Sequence, residues 1–295
     1  MGTVALRLRI GVTIRAFSIA SPDMKRREFL GNTIAAATLA SLGGAAQARA
    51  AVQAAESRKR EYYEIRAYRF KAEAKHDLLD TFLKEAAIPA WNQLGIKPVG
   101  VFTEIDSTAA PVVYVLLPYP SLEVFGLAAT RAGADAPYQS SAASDDLLSY
   151  LLPPKSNPAF DRIDAWLMVA FSGMPELELP AYSQEKKPRI FEMRTYESFS
   201  ELKALKKVEM FNSGEIAAMR EVGLAPVFYG QALTGPSLPH LTYMLSAENQ
   251  EVHKQHWAAF NKHPVWLKLN GDPQYKDTVS KITSRFLTPM ACSQI

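Results

Sequence analysis

Tyr63-Glu64-Ile65-Arg66-Ala67-Tyr68 returns as Phe191-Glu192-Met193-Arg194-Thr195-Tyr196, an offset of 128 residues (192 − 64). The same offset carries Gly95-Ile96-Lys97-Pro98-Val99 onto Gly223-Leu224-Ala225-Pro226-Val227, and Pro111 onto Pro239. Blocks held at one spacing across a helix-length interval mean that the interval itself has equal length in both halves. The chain therefore reads as two copies of one unit. The first, degenerate copy spans about 61–172, and the second spans 189–295. A Pro- and Glu-rich linker, 173–188, joins them.

Periodicity gives each copy the element order β-α-β-β-α-β. In the second copy a strand at 189–197 leads to a helix at 200–221. There Leu202, Leu205, Val208 and Met210 alternate with Lys203, Lys206, Lys207 and Glu209, and Gly223 stands where a left-handed cap ends a helix. A strand at 225–233 turns through Gly235-Pro236 into a strand at 240–247. A helix at 248–262 is stopped by Pro264, and a last strand covers 281–290. The first copy follows this order but is more broken over 121–150, around Gly133 and Pro137.

This is the ferredoxin-like order, an antiparallel four-stranded sheet with helices on one face. Its other face needs a cover. Two copies in one chain can bury those faces against each other, closing a dimeric α+β barrel with helices outside. The fold class expected is α+β, two tandem ferredoxin-like units paired sheet to sheet.

Strand side chains alternate. Phe191, Met193 and Thr195 share a face, as do Tyr63, Ile65 and Ala67, and these apolar sets are expected against the helices. The opposite sets, Glu64, Arg66 and Tyr68 with Glu192, Arg194 and Tyr196, are then expected between the copies. Charges there must be paired, so a Glu–Arg ion pair that fixes docking is one role. The other is ligand binding: an arginine for a carboxylate, enolate or phosphate, a tyrosine hydroxyl beside it, and Tyr243 nearby.

His253 and His256 share one side of the second-copy helix, at a spacing that could suit a metal or haem. No acidic third ligand stands at a telling spacing, and a histidine on a lysine-rich helix is expected to be solvated, so no metal site is expected. Trp257, Phe260, Trp266, Tyr229 and Tyr243 read as packing. Nothing resembles a nucleophile elbow, a phosphate-cradling glycine loop or paired CxxC ligands, and no cofactor is expected. Cys292, the single cysteine, excludes an intrachain disulfide and reads as inert.

The first 50 residues differ from the rest. Lys25-Arg26-Arg27-Glu28-Phe29-Leu30 precedes an uncharged, Ala-rich run from Thr33 to Ala46 that is too short to span a bilayer. Ala48 and Ala50 flank Arg49 as a small-residue cleavage site does. The Arg-Arg-x-Phe-Leu element is similar to a twin-arginine export signal cleaved after Ala50. It predicts a periplasmic or secreted protein with no transmembrane anchor in the mature chain. Arg7, Arg9 and Arg15, with no acid from Val4 to Ala20, leave a transit peptide as the competitor. A start at Met24 would shorten the signal to a usual length.

Removing residues 1–50 takes seven basic and two acidic residues from totals of 33 and 30, leaving 26 and 28. The mature chain is near neutral and slightly acidic, which argues against nucleic acid as a partner. Monomer and homo-oligomer are both compatible with the composition.

From Arg189 onward the chain resembles the NIPSNAP domain. The resemblance runs through Ile190-Phe191-Glu192-Met193-Arg194-Thr195-Tyr196, Met210-Phe211-Asn212-Ser213-Gly214-Glu215-Ile216 and Leu238-Pro239-His240-Leu241-Thr242-Tyr243-Met244. It continues over Trp257-Ala258-Ala259-Phe260, Pro264-Val265-Trp266 and Cys292-Ser293-Gln294-Ile295. It implies the dimeric α+β barrel but no reaction and no catalytic residues to carry over. Animal members are mitochondrial proteins of trafficking and mitophagy signalling. The export signal departs from that role, and His253 and His256 are not part of the family pattern. Two functions are expected to compete. One is a cofactor-independent enzyme or carrier that binds a small acidic molecule between the repeats. The other is a non-catalytic interaction or scaffold protein using its outer helices.

Overall fold

A computed structural model describes residues 59–71, 76–106, 109–131 and 144–295. The expected export signal, and the breaks at Gly133 and Pro137, lie outside the described residues.

The first half sets β1 (Tyr62–Arg69), α1 (Asp77–Phe82), α2 (Ile88–Gln93), β2 (Gly100–Glu104) and β3 (Val112–Tyr119). It continues with α3 (Leu122–Arg131), α4 (Asp145–Leu151) and β4 (Arg162–Ala170). After α5 (Ala181–Gln184) come β5 (Ile190–Glu197), α6 (Glu201–Met210), α7 (Ile216–Glu221), β6 (Ala225–Thr234) and β7 (His240–Ala247). The second half ends with α8 (Gln250–Phe260), α9 (Pro264–Gly271) and β8 (Lys281–Pro289). A π-turn joins α1 to α2 at Leu83–Ala87 and another joins α6 to α7 at Phe211–Glu215, again 128 residues apart.

The local signals explain these boundaries. Ser200 and Asn249 cap α6 and α8, their side-chain oxygens accepting from the amides of Lys203 and Val252. Gly95 and Gly223 close the long helical segments at φ of +80° and +87°, a conformation that disfavours any side chain.

The eight strands form a closed antiparallel barrel in the order β1-β3-β2-β8-β5-β7-β6-β4. Within each half the chain-order strands run fourth, first, third, second. The halves join twice, β2 to β8 from Phe102↔Pro289 to Glu104↔Leu287, and β4 to β6 from Leu167↔Thr234 to Ala170↔Gly230. Closure leaves none of these eight strands with an unpaired edge to recruit another chain.

The alternation of β1 and β5 is as expected, but its direction is reversed. Tyr63, Ile65, Ala67, Phe191 and Met193 fill the barrel interior with Phe102, Phe228, Met244 and Leu287. Phe102 of the first half meets Phe191 of the second at 4.9 Å between ring centroids, and Tyr63 meets Phe228 at 5.0 Å. Glu64, Arg66, Tyr68, Glu192, Arg194 and Tyr196 lie under the helices instead. Arg66 stands over Trp91 of α2, and Arg194 over Trp257 of α8.

The physical reason is solvent access. The middle of a barrel walled by eight strands cannot hydrate a charge, so it takes the apolar set. The helix layer covers its sheet incompletely, leaving the Arg66 and Arg194 side chains 22% and 19% exposed. Apolar rings fill the space between the halves, and the two Glu–Arg pairs of β1 and β5 play no part in docking them.

No helix among the described residues is long and apolar enough to cross a membrane.

Candidate functional site

Glu192 is the hub of the second half. Although only 2% exposed, its carboxylate accepts from Arg194 Nη1 at 2.6 Å, Ser284 Oγ at 2.5 Å, His253 Nε2 at 2.7 Å and Trp257 Nε1 at 2.9 Å. Burial, the largest influence, pushes its pKa up, but His253, Arg194 and Ser284 together outweigh it and hold the carboxyl at about 2. His253, expected on a solvated helix face, is instead 2% exposed and packs edge-on against Trp257 and Phe286. Its position on α8 faces the sheet, and Glu192 supplies the polar partner that burial demands. Among the described residues no group of three or more His, Cys, Asp and Glu is placed to hold a metal ion.

Arg194 is fixed on three sides. Nη1 binds Glu192, Nε donates to Tyr196 Oη at 3.3 Å, and the guanidinium carbon lies 4.7 Å from the Trp257 ring centroid. Among the described residues its Nη2 donates to nothing. Tyr196 Oη shares a 2.9 Å hydrogen bond with Tyr243 Oη, and burial raises the pKa of both phenols, keeping them neutral.

These groups border a cavity of about 660 Å³ between helices and sheet of the second half, walled by Arg194, Tyr196, Trp257, Trp266, Asn270 and Tyr275. Two further residues in its wall escaped the sequence reading. Lys207 and Glu215 form an ion pair at 2.8 Å, their side chains 5% and 2% exposed. In the sequence Lys207 falls with the polar residues of this helix, and Leu202 and Leu205 with the apolar ones. The structure buries Ala204, Lys207 and Met210 and leaves Leu202 and Leu205 68% and 51% exposed.

The first half repeats only the frame. Arg66 binds Glu64 through Nε at 2.9 Å and Nη2 at 3.0 Å, and Tyr119 Oη donates to the same carboxylate at 2.6 Å. At positions equivalent to Lys207, Glu215 and His253 stand Leu79, Ala87 and Phe125, 128 residues earlier. Leu79 and Ala87 belong to a continuous apolar cluster there, and Phe125 packs on its margin.

A cavity does lie where the halves meet, about 370 Å³ at the barrel mouth, but none of the expected residues lines it. Its walls are Arg69, Arg162, Asp164, His240, Lys281 and Arg285 among others. Arg69 and Arg162 pair with Asp164, Lys281 with Glu197, and Arg285 with Glu104. Burial and neighbouring Asp80 push the Cys292 thiol up to about 12, away from the thiolate form.

The model of the NIPSNAP family matches residues 191–294. Residues 191–294 are a NIPSNAP family domain. The match includes Glu192, Arg194, Lys207, Glu215, His253 and Trp257, so the polar wall and the family domain coincide. A crystal structure of a NIPSNAP-like domain protein from Burkholderia xenovorans is similar at 21% identity and a TM-score of 0.32, over 35% of this chain and 87% of that one. A NIPSNAP family protein of unknown function from Agrobacterium tumefaciens aligns at 14% identity and a TM-score of 0.31, over 35% and 88%. An anthrone oxidase-like protein aligns more broadly, over 79% of this chain and 92% of that one, at 10% identity and a TM-score of 0.47. No curated protein matches the sequence.

Proposed function

We propose that the NIPSNAP domain binds a small molecule carrying an acidic group and a planar ring, in the cavity between its helices and its sheet. The observation that carries this reading is Arg194. A guanidinium locked by Glu192, Tyr196 and Trp257, with Nη2 unused, is preorganised to take an anionic oxygen at the wall of a cavity of ligand size. Trp257, Trp266 and Tyr275 offer flat apolar surface beside it. The site sits in one repeat, rather than between two.

Phenylpyruvate, which has both features, tests the reading. Titrating the full chain with it is expected to quench tryptophan fluorescence saturably. Arg194→Lys is expected to weaken binding by at least about tenfold, because an ammonium cannot reproduce the planar fork. Equal affinity in the variant would remove Arg194 from the site.

We also infer that the halves are two copies of a ferredoxin-like unit, supported by the common 128-residue offset of their strands and π-turns. We further infer export through a twin-arginine signal at residues 1–50, supported by Arg26-Arg27-Glu28-Phe29-Leu30 and the Ala-rich run. In a bacterial host with that pathway, Arg26→Lys with Arg27→Lys is expected to hold the protein in the cytoplasm uncleaved. Periplasmic product beginning at Ala51 in the variant would contradict it.

A further inference from the structure

The two halves build the same helix pair over the same sheet from different chemistry at two positions. Where the first half has Leu79 and Ala87, fully buried in its apolar cluster, the NIPSNAP domain has Lys207 and Glu215. The π-turn ending at Ala87 recurs ending at Glu215, so the turn does not require the carboxylate. Lys207 Nζ lies 2.8 Å from Glu215 Oε2 and is ringed by Tyr196, Phe211 and Trp266 at 5.7, 4.6 and 5.4 Å from their centroids.

Stability does not account for such a pair. Desolvating two charges offsets most of their attraction, and apolar replacements of similar volume are often neutral or stabilising. The first half of this chain already contains those replacements. Both residues border the 660 Å³ cavity that holds Arg194. A carboxylate beside an ammonium at a ligand cavity joins a proton acceptor to a cation that can stabilise the negative charge formed when a proton leaves. Burial raises the Glu215 pKa against the opposing pull of Lys207, so the carboxyl holds a proton more readily than an ordinary glutamate does.

Building on the ligand reading above, the geometry points to a cofactor-independent proton transfer on an enolisable, ring-bearing 2-oxo acid, with Glu215 as the base. Arg194 holds the substrate carboxylate. Glu215 takes a proton from the carbon beside the ketone, the C–H electron pair becomes the new C=C bond, and the carbonyl π pair moves onto oxygen. Lys207 stabilises that enolate oxygen. Glu215 returns the proton to the oxygen, giving the enol, or to the carbon, restoring the ketone. No electrons leave the substrate, so no oxidant is consumed.

Phenylpyruvate in D₂O, followed by proton NMR, reads the step directly as loss of its C3 proton signal. The full chain is expected to speed this exchange at least tenfold over buffer at equal pD, with saturation. Glu215→Gln is expected to bind phenylpyruvate and lose the acceleration. The double variant Lys207→Leu with Glu215→Ala installs the first-half residues, so it is expected to fold, by thermal melt, and to lose the acceleration too. Binding without acceleration overturns the proton-transfer inference and leaves the ligand reading standing. Acceleration surviving in the double variant removes Glu215 as the base. Absence of phenylpyruvate binding overturns the ligand reading, and this inference with it.

Discussion

Phe191→Asp is expected to prevent the barrel from closing, with a loss of more than about 5 kcal/mol, comparable to the whole stability of an ordinary domain. Phe191 has no exposed surface and lies opposite Leu287 of β8 and Ser246 of β7. An aspartate there would leave a cavity the size of most of a phenyl ring and an unpaired carboxylate with no path to water. Its pKa would rise, and the neutral acid would still lack a hydrogen-bond partner. The measurement is the urea midpoint of the full chain, followed by circular dichroism.

A double-mutant cycle on Phe102→Ala and Phe191→Ala isolates the facing itself. The rings touch across the two halves at 64° between planes, so a coupling of about 0.5–1.5 kcal/mol is expected. If Phe191 faced its own helices, the residues would be independent and the coupling would vanish.

The 128-residue spacing made much of this fold legible. One offset located the long helical segment of each half, the strands on either side of it and the two glycine caps, because equal spacing across that segment gives it one length in both halves. Alternation in Phe191 to Tyr196 divided the side chains correctly into two sets, since a pleated strand permits no other division. It could not say which set turned inward. Each face of the sheet is covered by something, and only the closed barrel shows that the middle of one face is sealed from water while the other is not. Hydrophobic pattern also failed in α6. Leu202 and Leu205 belong to the apolar set there, yet Ala204 and Lys207 occupy the buried side with Met210.

The better signal lay in the offset. Leu79 against Lys207, Ala87 against Glu215 and Phe125 against His253 are three places where an apolar residue in one copy meets a polar one in the other. A core position that is ionisable in only one half needs an explanation outside the fold. Glu192 was legible as half of an ion pair because Arg194 is its neighbour on the same strand face. Its partners from β8 and α8, Ser284, His253 and Trp257, lie 61 to 92 residues away, and no local spacing announces them.

Glu192→Ala is expected to destabilise the full chain by about 3–5 kcal/mol, the range for breaking a buried ion pair by removing one partner. The loss exceeds the pair itself, because Arg194 Nη1, Ser284 Oγ, His253 Nε2 and Trp257 Nε1 all lose their acceptor together. Glu64→Ala in the first half removes the acceptor from only Arg66 and Tyr119, so a smaller loss is expected there. Acid should act through the same group. The folded carboxyl titrates at about 2 and the unfolded one near the ordinary glutamate value of about 4.3, so the unfolded state binds its proton first as pH falls. The stabilisation, about 3 kcal/mol at neutral pH, is fully present above about pH 4.5 and drains away as pH falls toward 2. Glu215 works in the opposite sense: its folded pKa is raised, so its contribution favours the folded state more as pH falls through the raised value. Urea midpoints measured from pH 7 to pH 2 should therefore fall less steeply in Glu192→Ala than in the parent chain. Parallel curves would show that Glu192 is not the group whose protonation weakens the fold.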